Sequence, residues 1–421
     1  MLYWLGVAGF ALTILISVSL HEAGHMITAK RFGMKVTRYF VGFGPTIFSW
    51  RRGETEYGLK AIPLGGFCKI VGMTPQDDDV EPEDQPRAMW RFPVWKRTIV
   101  MSAGSITHFL LALAAAWVVA FTLGLPNTSY PATAAAQLQQ KPFISVSECA
   151  WLAIPADGHE CTPGEAGSVA SPAWTAGLRD GDLITQVGTT SVATFGNLND
   201  AIRAQQPGKV PFTYVRDGVT KTVDVALVSA ERPPVDNAKG AVTKVAVAGL
   251  GWDGDSVPGT IKYNPGTAVG GTFDYGWFIV ENTFSSLGRI PQKVPALWHS
   301  LTGSERDPDT PISVVGASRL GGEAIEHGVP ELFLNIFITL NIFIGIFNLL
   351  PLLPLDGGHI AIAWFERARS WLYARLRKPD PGRVDYYKLM PITYAVILIG
   401  GAFTLLTVTA DIVNPIQIFN R

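Results

Sequence analysis

Four long runs of this chain are almost free of charge, and each is near the length that crosses a bilayer. They cover residues 2–28, 98–123, 331–350 and 389–413, where roughly 20 apolar residues are needed to span the hydrocarbon. They read as transmembrane helices. Between the first and second, the runs 36–45 and 57–71 are rich in β-branched and aromatic residues, with turn residues such as Gly53 between them. They predict a β-hairpin beside the first span. Between the second and third spans, alternating strands at 210–216 and 220–228 and a helix-like 198–205 predict a small α+β domain. Residues 240–304 are glycine-rich and read as irregular, and 311–327 as a short amphipathic helix leading into the third span. The fold class is an α-helical membrane protein with about four transmembrane helices, a membrane-associated β-hairpin and an extracytoplasmic α+β domain.

Composition agrees with this pattern. Only 16% of the 421 residues are charged, against about 25% in ordinary soluble proteins. The formal net charge of -1 gives no global basic surface for nucleic acid. The first span lacks a basic start and a small-residue cleavage site, so it reads as a span and not as a cleaved leader. Lys30, Arg31, Lys35 and Arg38 follow the first span, Lys96 and Arg97 precede the second, and a basic run from Arg367 to Lys388 separates the third from the fourth. The positive-inside rule puts these loops in the cytosol, and both termini and residues 126–330 outside. Asp77, Asp78, Asp79, Glu81, Glu83 and Asp84 read as a solvated cytosolic loop. Of the three cysteines, Cys149 and Cys161 lie in the outside segment. They are either a disulfide of an oxidising compartment or two separate small residues.

Chemistry enters at the end of the first span. His21-Glu22-Ala23-Gly24-His25 places two imidazoles at i and i+4, on one face of a helix. They can hold one zinc ion while Glu22 serves as general base. Ionisable groups in such a segment are expensive and usually functional. A third ligand must reach the same depth, and the third span runs in the same direction as the first. At its end lies Asn348-Leu349-Leu350-Pro351-Leu352-Leu353-Pro354-Leu355-Asp356. Pro351 and Pro354 disfavour a regular helix and can turn Asp356 toward the metal. A carboxylate there leaves zinc's fourth position for water, and the Asn348 amide can hydrogen-bond a substrate carbonyl or its oxyanion. Gly42, Gly44, Gly65 and Gly66 in the hairpin permit close backbone approach, although ordinary turns also use such glycines. His108 is a polar group inside the second span that could face the active site, though such a histidine more often simply finds a hydrogen-bond partner, and it is not chosen as a metal ligand; His159, His299 and His327 read as surface residues.

With these paired motifs in this order, the chain resembles the site-2 protease family of intramembrane zinc metalloproteases, most closely its bacterial RseP-like branch, over nearly its whole length. The resemblance implies that His21, His25 and Asp356 bind one zinc ion and that Glu22 activates water. It makes Asn348 a further catalytic residue, and Gly42, Phe43, Gly44, Gly65, Gly66 and Pro351 substrate-binding. His359, close to Asp356, would be a hydrogen-bonding partner of that ligand. The Ala176-Gly177-Leu178-Arg179-Asp180-Gly181-Asp182 element resembles that of a single bacterial PDZ domain, a class that binds extended peptides or C-termini by strand addition. In the second span, relatives often carry a Gly-Pro-x-x-Asn element. This chain departs from it with Gly104-Ser105-Ile106-Thr107-His108.

The expected organisation is a membrane core at 1–124, a linker at 125–164, a PDZ-like domain at 165–229, an irregular region with a short amphipathic helix at 230–330, and a second membrane core at 331–421. The expected activity is zinc-dependent cleavage of single-span membrane proteins in the bilayer. Substrates of the family are pre-trimmed anti-sigma factors or signal-peptide remnants. The implied location is the bacterial cytoplasmic membrane, with the active site near its cytosolic side. Two other readings differ in class. A non-enzymatic PDZ-containing adaptor with a structural metal would have no use for Glu22. A transporter with a broken third helix would show repeated halves, and the zinc motif has no second copy.

Overall fold

A computed structural model describes residues 1–73, 80–131, 133–155, 159–235, 240–304 and 306–419; Asp77, Asp78 and Asp79 of the acidic run lie outside them. The chain forms two compact units, one from Met1–Leu125 with Lys262–Arg421 and one from Pro126–Ile261.

The first unit is helical. Its helices are α1 (Leu2–Arg31), α2 (Val94–Thr122), α3 (Ala268–Leu301), α4 (Val314–Glu326), α5 (Pro330–Asn348), α6 (Asp356–Arg375) and α7 (Met390–Val413). Among the described residues, four helical segments are long and apolar enough to cross a membrane: α1, α2, α5 and Tyr386–Val413. Local chemistry sets their ends. Lys30 and Arg31 sit in the last turn of α1, where positive charge complements the helix dipole. Gly33 then leaves the helix at φ 87°, a left-handed conformation that suits glycine. Pro330 begins α5 at a position that needs no amide donor.

Helix α3 corrects the expectation that 240–304 is irregular. Pro291 and Pro295 interrupt its sequence pattern, and each removes a helical hydrogen bond at a cost of about 3 kcal/mol. Both prolines lie on the exposed face, while Tyr275 and Ile279 bury against Ala112 and Ala116 of α2 and Ile338 and Ile342 of α5. That tertiary packing offsets the proline penalty. Small residues bring other helices together. A Cβ on Gly24 would come within 2.7 Å of the Ala103 carbonyl oxygen, so α1 and α2 touch along their backbones, as membrane helices commonly do. The last turns of α7 are tied down by a buried ion pair, Arg306 Nη1 to Asp411 Oδ1 at 2.7 Å. Asp411 Oδ2 also accepts from the Ser313 amide at 2.6 Å, at the start of α4.

Two long strands, β1 (Val36–Arg52) and β2 (Thr55–Ile70), form the expected hairpin, and β1 runs further than the sequence pattern indicated. Each strand bends so that the hairpin makes four segments. Residues 36–41 pair with 66–70 on one side and 56–59 on the other, and 46–52 pair with 55–60. Gly42 lies at this bend with φ 87°. A Cβ there would come within 2.8 Å of the Ile62 carbonyl oxygen. Tyr39 donates to the Ser19 carbonyl at 2.7 Å, fastening the hairpin to α1. In the loop that follows, Asp84 is not merely solvated: it pairs with Lys35 at 2.6 Å.

The second unit holds an antiparallel sheet whose strands are ordered 243–247, 219–232, 208–216, 182–187, 143–146 and 250–252, with the short 190–191 strand beside 182–187. Phe195–Arg203 forms a helix whose Leu198 and Ile202 bury in the same core. Strands 143–146, 243–247 and 250–252 fall outside the expected 165–229 segment, so the sheet draws on the flanking linker and irregular region as well. Cys149 and Cys161 form a disulfide. The glycine–aspartate element has a physical role here. Asp182, with a side chain only 1% exposed, accepts from Arg216 Nε at 2.7 Å and Nη2 at 2.6 Å, and from the Arg179 amide at 2.9 Å. Replacing it by Ala leaves these donors unpaired, so Asp182→Ala should destabilise the second unit by roughly 2–3 kcal/mol. Hydrogen exchange of strand 182–187 in the full-length protein, faster in the variant and unchanged in the helices, is the measurement.

Candidate active site

Helix α1 carries His21 and His25 one turn apart, both buried. The chain between α5 and α6 brings Asp356 to them. Helix α5 stops at Asn348, the loop 349–355 turns, and Asp356 opens α6. The turn is tight because the next two residues are glycines. A Cβ on Gly357 would lie 2.2 Å from the Leu349 carbonyl oxygen, and one on Gly358 would lie 2.7 Å from the backbone of Leu352. The loop therefore packs directly on the start of α6 and aims the carboxylate back at α1.

Three donor atoms converge. His21 Nε2 and His25 Nε2 are 3.1 Å apart, and Asp356 Oδ2 lies 3.4 Å from the first and 3.3 Å from the second. A tetrahedral ion with ligands at about 2.0–2.1 Å sets its donors about 3.3–3.4 Å apart. The three spacings fit that geometry. His25 Nδ1 lies 2.7 Å from the Val100 carbonyl oxygen. A carbonyl only accepts, so Nδ1 carries the proton and Nε2 presents its lone pair to the centre. Among the described residues, Asp356 Oδ2 is buried without a hydrogen-bond partner. Two lone pairs and an unpaired carboxylate oxygen facing one another suit a cation of zinc's size and charge.

Glu22, next to His21, lies beside this cluster. Its carboxylate is within reach of the Cys68 backbone amide, and a Cβ on Gly66 would lie 3.5 Å from its Cγ. The end of β2 thus runs past the glutamate, as the outermost segment of the hairpin. Burial raises the Cys68 thiol to about 12, so it stays protonated there. Phe43 stacks on Phe67 at 6.3 Å, and a Cβ on Gly65 would meet the Phe43 ring at 3.0 Å. Gly42 and Gly44 face Ile62, further along the hairpin from Glu22. Asn348 is half-buried in the last turn of α5, and Pro351 is exposed in the loop. His359 sits one turn beyond Asp356. Its ring lies beside Tyr386 at 6.0 Å, its Nδ1 has no partner, and among the described residues it makes no hydrogen bond to Asp356.

The sequence reading overlooked Gly104 of α2 as a contributor to this centre. A Cβ there would come within 2.4 Å of His21 Cε1 and 2.6 Å of both its nitrogens. The imidazole occupies the space that a side chain would take. The signal available was a glycine one helical turn from a histidine inside a span. Gly104→Ala should displace the His21 ring and weaken metal retention at least about tenfold. Gly9→Ala, on α1 with open space around it, should leave it unchanged; competition of the purified protein with a chromogenic chelator measures both.

Comparison with known proteins gives this cluster its family. The model of peptidase family M50 matches residues 9–378. The chain is 42% identical to zinc metalloprotease Rip1 of Mycobacterium bovis over 421 residues, and 42% identical to that of Mycolicibacterium smegmatis over 425 residues, covering 100% of both chains in each case. It is 28% identical to a putative zinc metalloprotease of Neisseria meningitidis, over 86% of this chain and 91% of the relative. With His21, Glu22, His25 and Asp356 gathered among apolar helices and a full-length match to such relatives, the chain belongs to peptidase family M50, the site-2 proteases.

Proposed function

We propose that this protein is a zinc-dependent intramembrane endopeptidase that cleaves single-span membrane proteins. The observation that carries the reading is the convergence of His21 Nε2, His25 Nε2 and Asp356 Oδ2 at 3.1–3.4 Å, beside Glu22 and among candidate membrane spans. His21, His25 and Asp356 hold the ion. Zinc bound there supplies a Lewis acid that polarises a peptide carbonyl and lowers the pKa of a coordinated water.

The chain's own groups do the rest. Glu22 takes a proton from the attacking water as the new carbon–oxygen bond forms. It returns that proton to the amine as the peptide carbon–nitrogen bond breaks. Asn348, whose amide can donate, stabilises the oxyanion. A substrate helix hides its peptide groups in its own hydrogen bonds, so the segment to be cut must unwind and find new partners. The outermost segment of β2 beside Glu22 supports pairing with such a strand. Gly65 and Gly66 let the substrate backbone come close, Gly42, Phe43 and Gly44 shape the hairpin behind them, and Pro351 borders the site from the loop.

The membrane arrangement follows from charge and redox chemistry. The basic loops after α1, before α2 and after α6 favour the cytosol, which puts both termini outside and the metal near the cytosolic side of a bacterial cytoplasmic membrane. The Cys149–Cys161 disulfide supports an oxidising, extracytoplasmic location for the second unit. That unit acts as a PDZ-like module that binds the extended end of a peptide. Substrates are single-span proteins already shortened outside the membrane, of the anti-sigma or signal-peptide-remnant type.

The test uses purified full-length protein and a labelled single-span substrate in liposomes. A chelator should abolish cleavage, and added zinc should restore it. Glu22→Gln should bind one zinc and lose roughly 10²–10⁴-fold in kcat. Undiminished cleavage by Glu22→Gln would remove its role as base, and metal-independent cleavage would overturn the proposal.

A further inference from the structure

Above the metal layer lies a second polar layer that the reaction does not use. Ser17 of α1, His108 of α2 and Asn341 of α5 are all buried, with 2%, 1% and 2% exposure. Asn341 Nδ2 donates to the Phe337 carbonyl of its own helix at 2.9 Å. That fixes the amide so that Oδ1 faces the other two residues as an acceptor. Ser17 Oγ donates to it. His108 Nδ1 lies 2.8 Å from the same oxygen and 3.0 Å from Ser17 Oγ. Facing an acceptor, Nδ1 must carry the proton, and Nε2 of the neutral ring keeps its lone pair.

The spacing of the residues links this layer to the metal. Ser17 precedes His21 by one turn on α1. His108 follows Gly104 by one turn on α2. Asn341 precedes Asn348 by two turns on α5. The His21 ring is therefore held between Gly104, which leaves it room, and His108, whose ring centre is 5.0 Å from its own. Among the described residues, His21 Nδ1 is buried without a hydrogen-bond partner. Ligating histidines almost always donate their second N–H, and loss of the acceptor typically costs 10–100-fold in metal affinity or activity. His25 has the Val100 carbonyl for this purpose. For His21 no such bond is formed among the described residues, and the His108 ring packs beside it at 5.0 Å between centres.

We propose that His108 is the positioning residue for His21, with Ser17 and Asn341 holding its ring in the tautomer whose Nε2 is an acceptor. This rests on the zinc-site reading above. Three polar groups inside three membrane-spanning helices are costly to bury. Here they also fix the rotation of α1, α2 and α5 about one another, and with it the faces that carry His21 and Asn348.

The experiment compares wild type, His108→Gln, His108→Leu and Asn341→Leu as full-length proteins in detergent. Zinc affinity is read by chelator competition, and kcat and KM by cleavage of a single-span substrate. Glutamine can still offer an acceptor near the Nε2 position; leucine offers none. Zinc affinity of His108→Gln should stay within about threefold of wild type. His108→Leu should lose roughly 10- to 100-fold, and its kcat should fall with KM unchanged. Asn341→Leu should weaken zinc in the same direction although Asn341 is on a helix that carries no ligand. If His108→Leu does not fold, Asn341→Leu and His108→Gln carry the comparison. Equal losses in His108→Gln and His108→Leu would mean that only ring volume matters, and would overturn the proposal. So would wild-type affinity in whichever leucine variants fold. Absence of zinc from the wild type would instead defeat the metal centre itself.

Discussion

Two imidazole nitrogens and a carboxylate oxygen within 3.4 Å of one another are costly to hold inside a bundle of apolar helices unless a proton or a metal cation joins them. Burying such groups unpaired costs several kcal/mol. The rest of the helical unit is arranged around that constraint. Helix α1 supplies two donors because i and i+4 share a face. The third comes from a chain reversal at the end of α5, and Gly357 and Gly358 make the reversal compact enough for Asp356 to arrive at the same depth.

Close approach is the second condition. Lipid is as apolar as a leucine side chain, so helices in a membrane gain little by burying apolar surface against one another. They associate through packing, small residues and hydrogen bonds. Gly24 against Ala103, Gly104 against His21 and Gly345 against Phe109 are the places where this chain gives up a side chain for contact. Ser17, His108 and Asn341 supply the hydrogen bonds. The glycines that matter for chemistry are therefore packing glycines in helices as well as turn glycines in the hairpin.

The hairpin answers a different need. A protease must engage an extended backbone, while a membrane favours helices. Tyr39 and Lys30 tie the strands to α1 through Ser19 and Tyr57. This sets the last segment of β2 beside Glu22, so that a strand edge and a candidate base share one surface.

Much of this could be read from the residues. Long uncharged runs fix the spans because an unpaired backbone or charge in hydrocarbon is too costly to be common. The spacing of His21 and His25 fixes a shared helical face by geometry alone. Helix α3 could not be read in this way. Its prolines and glycines argue locally against a helix, and only burial of Tyr275 and Ile279 on two other helices outweighs them. The extent of the second unit's sheet was hidden as well, because its strands 143–146 and 250–252 are too short to show a period. The packing behind His21 was beyond the sequence too. Gly104, His108 and Asn341 lie 83, 87 and 320 positions away along the chain, and nothing local says which face of α2 or α5 meets α1. The sequence determined the elements and the donor types, because those depend on neighbours along the chain. The tertiary structure decided which donors meet and what stands behind them, because helix rotation and depth depend on contacts among residues far apart in sequence.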